Sequence, residues 1–84
     1  MGLYYITFRS VTFAQRGEKL LTQHNARVSL MRTPRWMEEQ GCGYALKLWT
    51  GDIRIPVKLL GENKVQLRRI YSQREDGTME EVAL

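Results

Sequence analysis

The chain has 84 residues, of which 43% are hydrophobic and 26% charged, and its formal net charge is +4 at pH 7. This length excludes a second hydrophobic core, and the composition is that of a globular rather than a disordered protein. One cysteine, Cys42, and one histidine, His24, exclude a disulfide framework and are too few ligands for a zinc site, so we expect no metal or other cofactor.

The first half of the chain predicts a strand, a helix and a second strand. Side chains alternate from Leu3 to Arg9, as in a half-buried strand. Ser10 and Thr12 are both candidate N-caps for the helix that follows. The apolar stripe of that helix consists of Phe13, Gly17, Leu20, Leu21 and His24. Alternation resumes over residues 26–32 and predicts a strand that ends near Pro34, because proline cannot donate to a ladder.

The second half predicts a polar loop over residues 36–41 and then a third strand, Cys42 to Trp49. Residues 51–60 alternate as a strand would, but their apolar side chains also fall on one helical face. Asp52 is a good N-cap, so we favour a short helix there. Residues 65–71 predict a fourth strand.

This order of elements predicts an α+β fold of the ferredoxin-like βαββαβ type, with a four-stranded antiparallel sheet and two helices on one face. We expect the domain to cover residues 1–72. Acidic side chains gather in residues 73–84, and we expect an acidic C-terminal tail that is mobile or used for contacts. Gly17 is costly inside a helix, which predicts that the first helix approaches the sheet closely.

Cys42, between two glycines, is the candidate for covalent chemistry, which requires an accessible thiolate. In the predicted topology the third strand starts beside the N-terminus of the first helix, where Ser10 and the helix dipole favour an anion. Arg32 and Arg35 leave the sheet at the same end and add positive charge. Gly43 allows a tight turn beside the sulfur. The alternative is a buried structural cysteine, since free cysteine packs as a small hydrophobe.

Several segments of the chain resemble, in order and spacing, the family of small selenium/sulfur (Se/S) carrier protein-like proteins. They are Tyr5–Ser10, Ala14, Glu18–Leu21, Thr33–Arg35 and Cys42–Leu46. The resemblance implies a ferredoxin-like fold with a helix at residues 52–61, and a persulfide or perselenide carried on Cys42. Members of the family tend to have small, serine-rich residues before this cysteine. This chain has Glu38 and Glu39, which would oppose thiolate formation if they came close to the sulfur.

The resemblance implies a carrier rather than a free-standing enzyme. A cysteine desulfurase-type donor would load Cys42, and an acceptor enzyme would unload it, with Arg35 and Arg32 holding the thiolate or an anionic substrate. The alternative is a non-enzymatic adaptor that binds a protein or ligand, or dimerises, with Trp36 and Met37 as anchors. Single-stranded RNA binding is the least favoured reading, because Leu46 replaces a stacking aromatic of the RNA-binding motif.

The location of the protein is predicted from absences. No apolar run approaches the roughly 18 residues that span a bilayer. The first residues lack the basic region and cleavage site of a signal peptide. A single cysteine fits a reducing compartment. We therefore expect a cytoplasmic protein with no membrane partner, and nucleic acid is an unlikely one.

Overall fold

The computed structural model describes residues 2–37 and 43–83. Its elements are β1 (Gly2–Thr7), α1 (Val11–Gln23), β2 (Arg27–Arg32), a 3-10 turn (Arg35–Met37), β3 (Tyr44–Thr50), α2 (Arg54–Glu62), β4 (Arg69–Gln73) and β5 (Met79–Glu81). The strands of these described residues form one antiparallel sheet in the order β2-β3-β1-β4-β5. The α+β class is confirmed, but the sheet has five strands where the sequence predicted four. No helix in the described ranges is long and apolar enough to cross a membrane.

One face of the sheet carries both helices. Ile6 and Phe8 of the first strand region and Leu46 of β3 are fully buried on this face. A Cβ placed on Gly17 of α1 would lie 3.2–3.3 Å from side-chain atoms of Phe8, Leu46 and Leu60. Because Leu60 belongs to α2, the two helices meet the sheet at one place. The predicted close approach of α1 at Gly17 is therefore confirmed.

The caps of α1 follow from its sequence. Ser10 is the N-cap, and its hydroxyl accepts a hydrogen bond from the Phe13 amide at 3.1 Å. Thr12, the other candidate cap, lies inside the helix. Beyond the helix, Asn25 adopts a left-handed φ of 63°. Asparagine tolerates that conformation better than most residues, which explains why α1 stops here.

The ambiguous segment after β3 is helical, as favoured. Pro56 lies in the first turn of α2, where a missing N–H costs little. Asp52 stands one residue before the N-cap Ile53, so the predicted N-cap was wrong by one position. Its carboxylate accepts from the Arg54 amide and guanidinium, both at 3.0 Å. These hydrogen bonds from Arg54 hold the pKa of Asp52 below its usual value.

The fourth strand begins later than predicted. Lys64 takes a left-handed φ of 59°, and the Val65 amide then donates to the carbonyl of Leu60 at 2.9 Å. This closes the end of α2 and leaves Val65 buried in the core outside any strand. β4 therefore starts at Arg69, where its amide donates to the Thr7 hydroxyl.

The fifth strand lies within residues 73–84, the predicted acidic tail. Residues 74–78 join it to β4: the Arg74 amide donates to the Thr78 carbonyl at 2.8 Å, and Gly77 has φ 87°. Asp76 accepts from the Thr78 amide and hydroxyl, and these hydrogen bonds lower its pKa. Val82, just beyond β5, packs against the core. The domain boundary at residue 72 stays a prediction.

The other face of the sheet is covered in part by the 3-10 turn. Met37 is 1% exposed and packs in a cluster with Tyr5 and Tyr71, each 8% exposed. Trp36 remains 54% exposed, with its ring edge-on to Tyr71 at a centroid distance of 5.3 Å. The sequence predicted a polar loop from residue 36. This was wrong for Met37, because the chain folds back over the outward side chains of β1 and β4.

Candidate functional site

The candidate site is at the end of the sheet where β1 and β2 finish and β3 begins. Antiparallel pairing sets Thr7 opposite Ala45 and Arg32 opposite Tyr44. The start of β3 therefore lies at the same end of the sheet as the end of β1, from which the chain leads into α1. Cys42, the predicted reactive residue, lies outside the described residues.

A backbone hydrogen bond joins the residue after β2 to the residue before β3. The Thr33 amide donates to the Gly43 carbonyl at 2.9 Å. Gly43 has φ 82°, in the region that glycine reaches without strain. The predicted tight turn at Gly43 is therefore observed. The Thr33 hydroxyl is buried and has no hydrogen-bond partner within residues 2–37 and 43–83.

Arg32 is held above the first residue of β3. Its guanidinium carbon lies 5.3 Å from the centroid of the Tyr44 ring, within the range of a cation–π contact. The side chain is exposed, so this contact contributes about 0.5–1 kcal/mol. The positive charge stays near the surface, beside Tyr44, which is two residues from Cys42 in the sequence.

Arg35 opens the 3-10 turn and is exposed. The turn is closed by the Met37 amide, which donates to the Pro34 carbonyl at 3.0 Å. Burial of Met37 then fixes the turn on the sheet. Arg35 is thus presented by an anchored segment that leads directly into residues 38–42.

Ser10 is used as a cap. Its hydroxyl is committed to the Phe13 amide, which leaves the amides of Val11 and Thr12 as the first-turn donors without an acceptor in the described parts of the chain. No hydrogen bond within residues 2–37 and 43–83 joins Ser10 to Arg32 or Arg35. The structure places the three predicted residues at one end of the sheet and does not bring them into mutual contact.

Within the described residues, no group of three His, Cys, Asp or Glu side chains could hold a metal ion. His24 is exposed at the C-terminal end of α1, and its Nδ1 lies 2.9 Å from the Leu20 carbonyl. It is therefore at the opposite end of α1 from Ser10, as predicted.

Sequence reasoning missed a second feature of this end of the molecule, an open cleft of about 880 Å³ between the helices and the start of β4. We call it the cationic cleft. Its charged lining residues are Arg9, Lys64, Arg68, Arg69 and Glu81. Three of the four cations occur within six residues of one another, a local signal that the sequence offered.

Comparison with family models gives a match over most of the chain. The family model described as "Putative Se/S carrier protein-like" matches residues 3–72. Neither the curated proteins nor the solved structures contain a match to the chain.

Proposed function

We propose, on the premise that this chain belongs to the Se/S carrier protein-like family, that it carries sulfur or selenium on Cys42 between a donor and an acceptor enzyme. The observation that carries the proposal is the family match, which spans residues 3–72 and so includes Cys42. The donor would be of the cysteine desulfurase type. The cargo is held as a persulfide or perselenide, and the compartment would be the cytoplasm.

The loading step is an exchange at sulfur. The Cys42 thiolate attacks the terminal sulfur of the donor's persulfide, forming a new S–S bond. The S–S bond of the donor breaks, and its electron pair leaves with the donor thiolate. The terminal sulfur carries its proton to Cys42. Atoms and charge therefore balance, and no external oxidant is required. A terminal selenium would move in the same way.

Positive charge near the thiolate would support this chemistry. Arg32 and Arg35 both precede the segment that leads to Cys42, and both are exposed. A cation within a few ångströms favours the thiolate and lowers its pKa. The left-handed Gly43 and the anchored 3-10 turn hold the two ends of that segment. A docking enzyme would meet both arginines at one end of the sheet.

We also propose that the fold is of the ferredoxin-like type. The order β2-β3-β1-β4, with both helices packed on one face, supports a ferredoxin-like arrangement. In this description β5 is an addition at the β4 edge.

Transfer is tested by mass spectrometry. The protein is incubated with a cysteine desulfurase and cysteine, and its intact mass is measured before and after reductant. We expect a gain of one or more sulfur atoms that the reductant removes. Cys42→Ser must abolish the gain, because Cys42 is the only cysteine. No reducible gain, or a gain that persists in Cys42→Ser, contradicts the carrier.

The role of charge is tested by alkylation of Cys42 across pH. We expect Arg35→Gln to raise the pH at which the thiol becomes reactive, because a cation near the thiolate is lost. Arg27→Gln, an equal charge change at the far end of β2, serves as the control. If both variants follow the parent profile, Arg35 does not act on the thiol.

A second candidate function rests on Trp36. A tryptophan that is 54% exposed and supported from below by Tyr71 is the kind of side chain that anchors protein interfaces. Met37, the other predicted anchor, is buried and cannot serve as one. The adaptor is distinguished from the carrier by a Cys42 thiol of ordinary reactivity together with a partner, or a second copy, whose binding is lost in Trp36→Ala.

A further inference from the structure

The cationic cleft is a concave surface built by segments far apart in the chain. Arg9 follows β1, Phe13 lies in α1, and Lys64 and Leu67 follow α2. Val82 closes the side beyond β5. A volume of about 880 Å³ lies within the usual range of small-molecule sites.

The charge of the cleft is strongly asymmetric. Among the described residues, its charged lining consists of one carboxylate, Glu81, and the cations Arg9, Lys64, Arg68 and Arg69. That carboxylate lies 3.0 Å from the Arg69 guanidinium. Arg9 and Lys64 are exposed, and no carboxylate within residues 2–37 and 43–83 forms an ion pair with either of them. The wall of the cleft therefore attracts anions.

The lining of the cleft also includes apolar side chains. They are Phe13, Val57, Leu67 and Ile70. A bare inorganic anion would leave this surface uncovered. A ligand that combines an anion with an apolar body would satisfy the cations and remove the apolar surface from water.

We propose that the cationic cleft binds a small molecule that bears a phosphate group on an apolar or aromatic body. A guanidinium group can donate two parallel hydrogen bonds to a phosphate, and Lys64 adds a positive point charge to the cleft. The cleft shares an end of the sheet with Gly43, since Thr7 pairs with both Ala45 and Arg69. Its residues are nonetheless different from those of the sulfur carrier proposal.

The test uses phenyl phosphate as the probe, with inorganic phosphate and phenol as its two halves. Amide chemical shifts of the full chain are followed by NMR during each titration. We expect phenyl phosphate to shift the amides of Gly61, Val65 and Val82, and to bind at least about tenfold more tightly than either half. Added salt should weaken the binding.

Charge variants locate the binding. We expect Arg9→Gln and Lys64→Asn each to weaken phenyl phosphate binding about threefold to tenfold. Asparagine suits the left-handed backbone at residue 64, so that variant should fold. Glu81→Gln should tighten binding, because the lining carboxylate that opposes an anion is neutralised. Arg27→Gln, at the far end of the sheet, should change nothing.

Four results would overturn the proposal. They are no shift of the cleft amides with phenyl phosphate, equal binding by phenol, equal binding by inorganic phosphate, and unchanged binding in the Arg9→Gln, Lys64→Asn double variant. Cys42→Ser should bind the probe as the parent does, so this result and the sulfur-transfer result are independent.

Discussion

At the scale of single residues, Gly17 decides how closely α1 lies against the sheet. The space beside its Cα is occupied by a methyl of Leu46 at 3.2 Å and of Leu60 at 3.3 Å from an added Cβ. Contacts of this length require the neighbours to move by a few tenths of an ångström. A methyl group is the most that this interface can accept.

We expect Gly17→Val to lower the free energy of unfolding by about 2 kcal/mol, because the larger side chain overpacks the helix–sheet contact. Gly17→Ala should stay within about 1 kcal/mol of the parent, since gained helix propensity offsets the crowding. Gly61→Ala in α2 is the control, because nothing lies within 4 Å of its added Cβ. Urea unfolding measures all three. A Gly17→Val protein as stable as the parent would mean that α1 sits further from the sheet.

At the scale of elements, Met37 is the buried anchor of the 3-10 turn. It packs with Tyr5 and Tyr71 on the sheet face opposite α1 and α2. We expect Met37→Ala to lower the free energy of unfolding by about 2 kcal/mol, the low end for a buried methionine. Trp36→Ala is the matched control and should cost about 1 kcal/mol, the value of an edge-on aromatic pair.

Met37→Ala also tests whether the 3-10 turn positions the segment that contains Cys42. If it does, Met37→Ala alters the rate of Cys42 alkylation while Trp36→Ala does not, both measured well below the urea midpoint. Equal alkylation rates in the two variants would show that anchoring of the turn does not affect the reactivity of Cys42.

The β4–β5 hairpin depends on the ionised form of Asp76. Its folded pKa is lowered by hydrogen bonds from Thr78, so its contribution to stability is present above the unfolded pKa. This contribution is lost as pH falls through the folded pKa. We expect amide exchange at Thr78 to accelerate below about pH 3.9, the usual aspartate value. Asp76→Asn should lack this acceleration, whereas the Arg74–Glu80 ion pair is present in both proteins. Identical pH profiles would contradict the assignment.

At the scale of the whole molecule, β5 tests the predicted boundary at residue 72. A chain ending at residue 74 loses β5 and the packing of Val82 and Met79. We expect it to unfold cooperatively, with a free energy of unfolding lower by about 2 kcal/mol. β4 becomes an edge, so self-association measured by sedimentation should increase. A chain ending at residue 82 should match the parent. Loss of any cooperative transition would show that the domain extends beyond residue 72.

Local pattern was enough for most of the elements. Neighbouring residues were enough to recognise the alternation in β1 and β3, the apolar stripe of α1 and the Ser10 cap. Strand and helix periods are short-range properties of the sequence. The hairpin of residues 74–78 had such a signal too, in Asp76-Gly77, which the acidic composition of the tail obscured.

The sequence by itself determined the α+β class, part of the core such as Ile6, Phe8 and Leu46, and the resemblance that points to Cys42. Only the tertiary structure decided that Met37 covers Tyr5, that β5 joins the sheet, and that Arg9 and Lys64 line one cleft. Whether an outward-facing side chain is buried, and whether a surface forms a cleft, both depend on which segments far apart in the chain come together. No local period encodes such meetings, since they follow from strand order and from how the chain closes around the core.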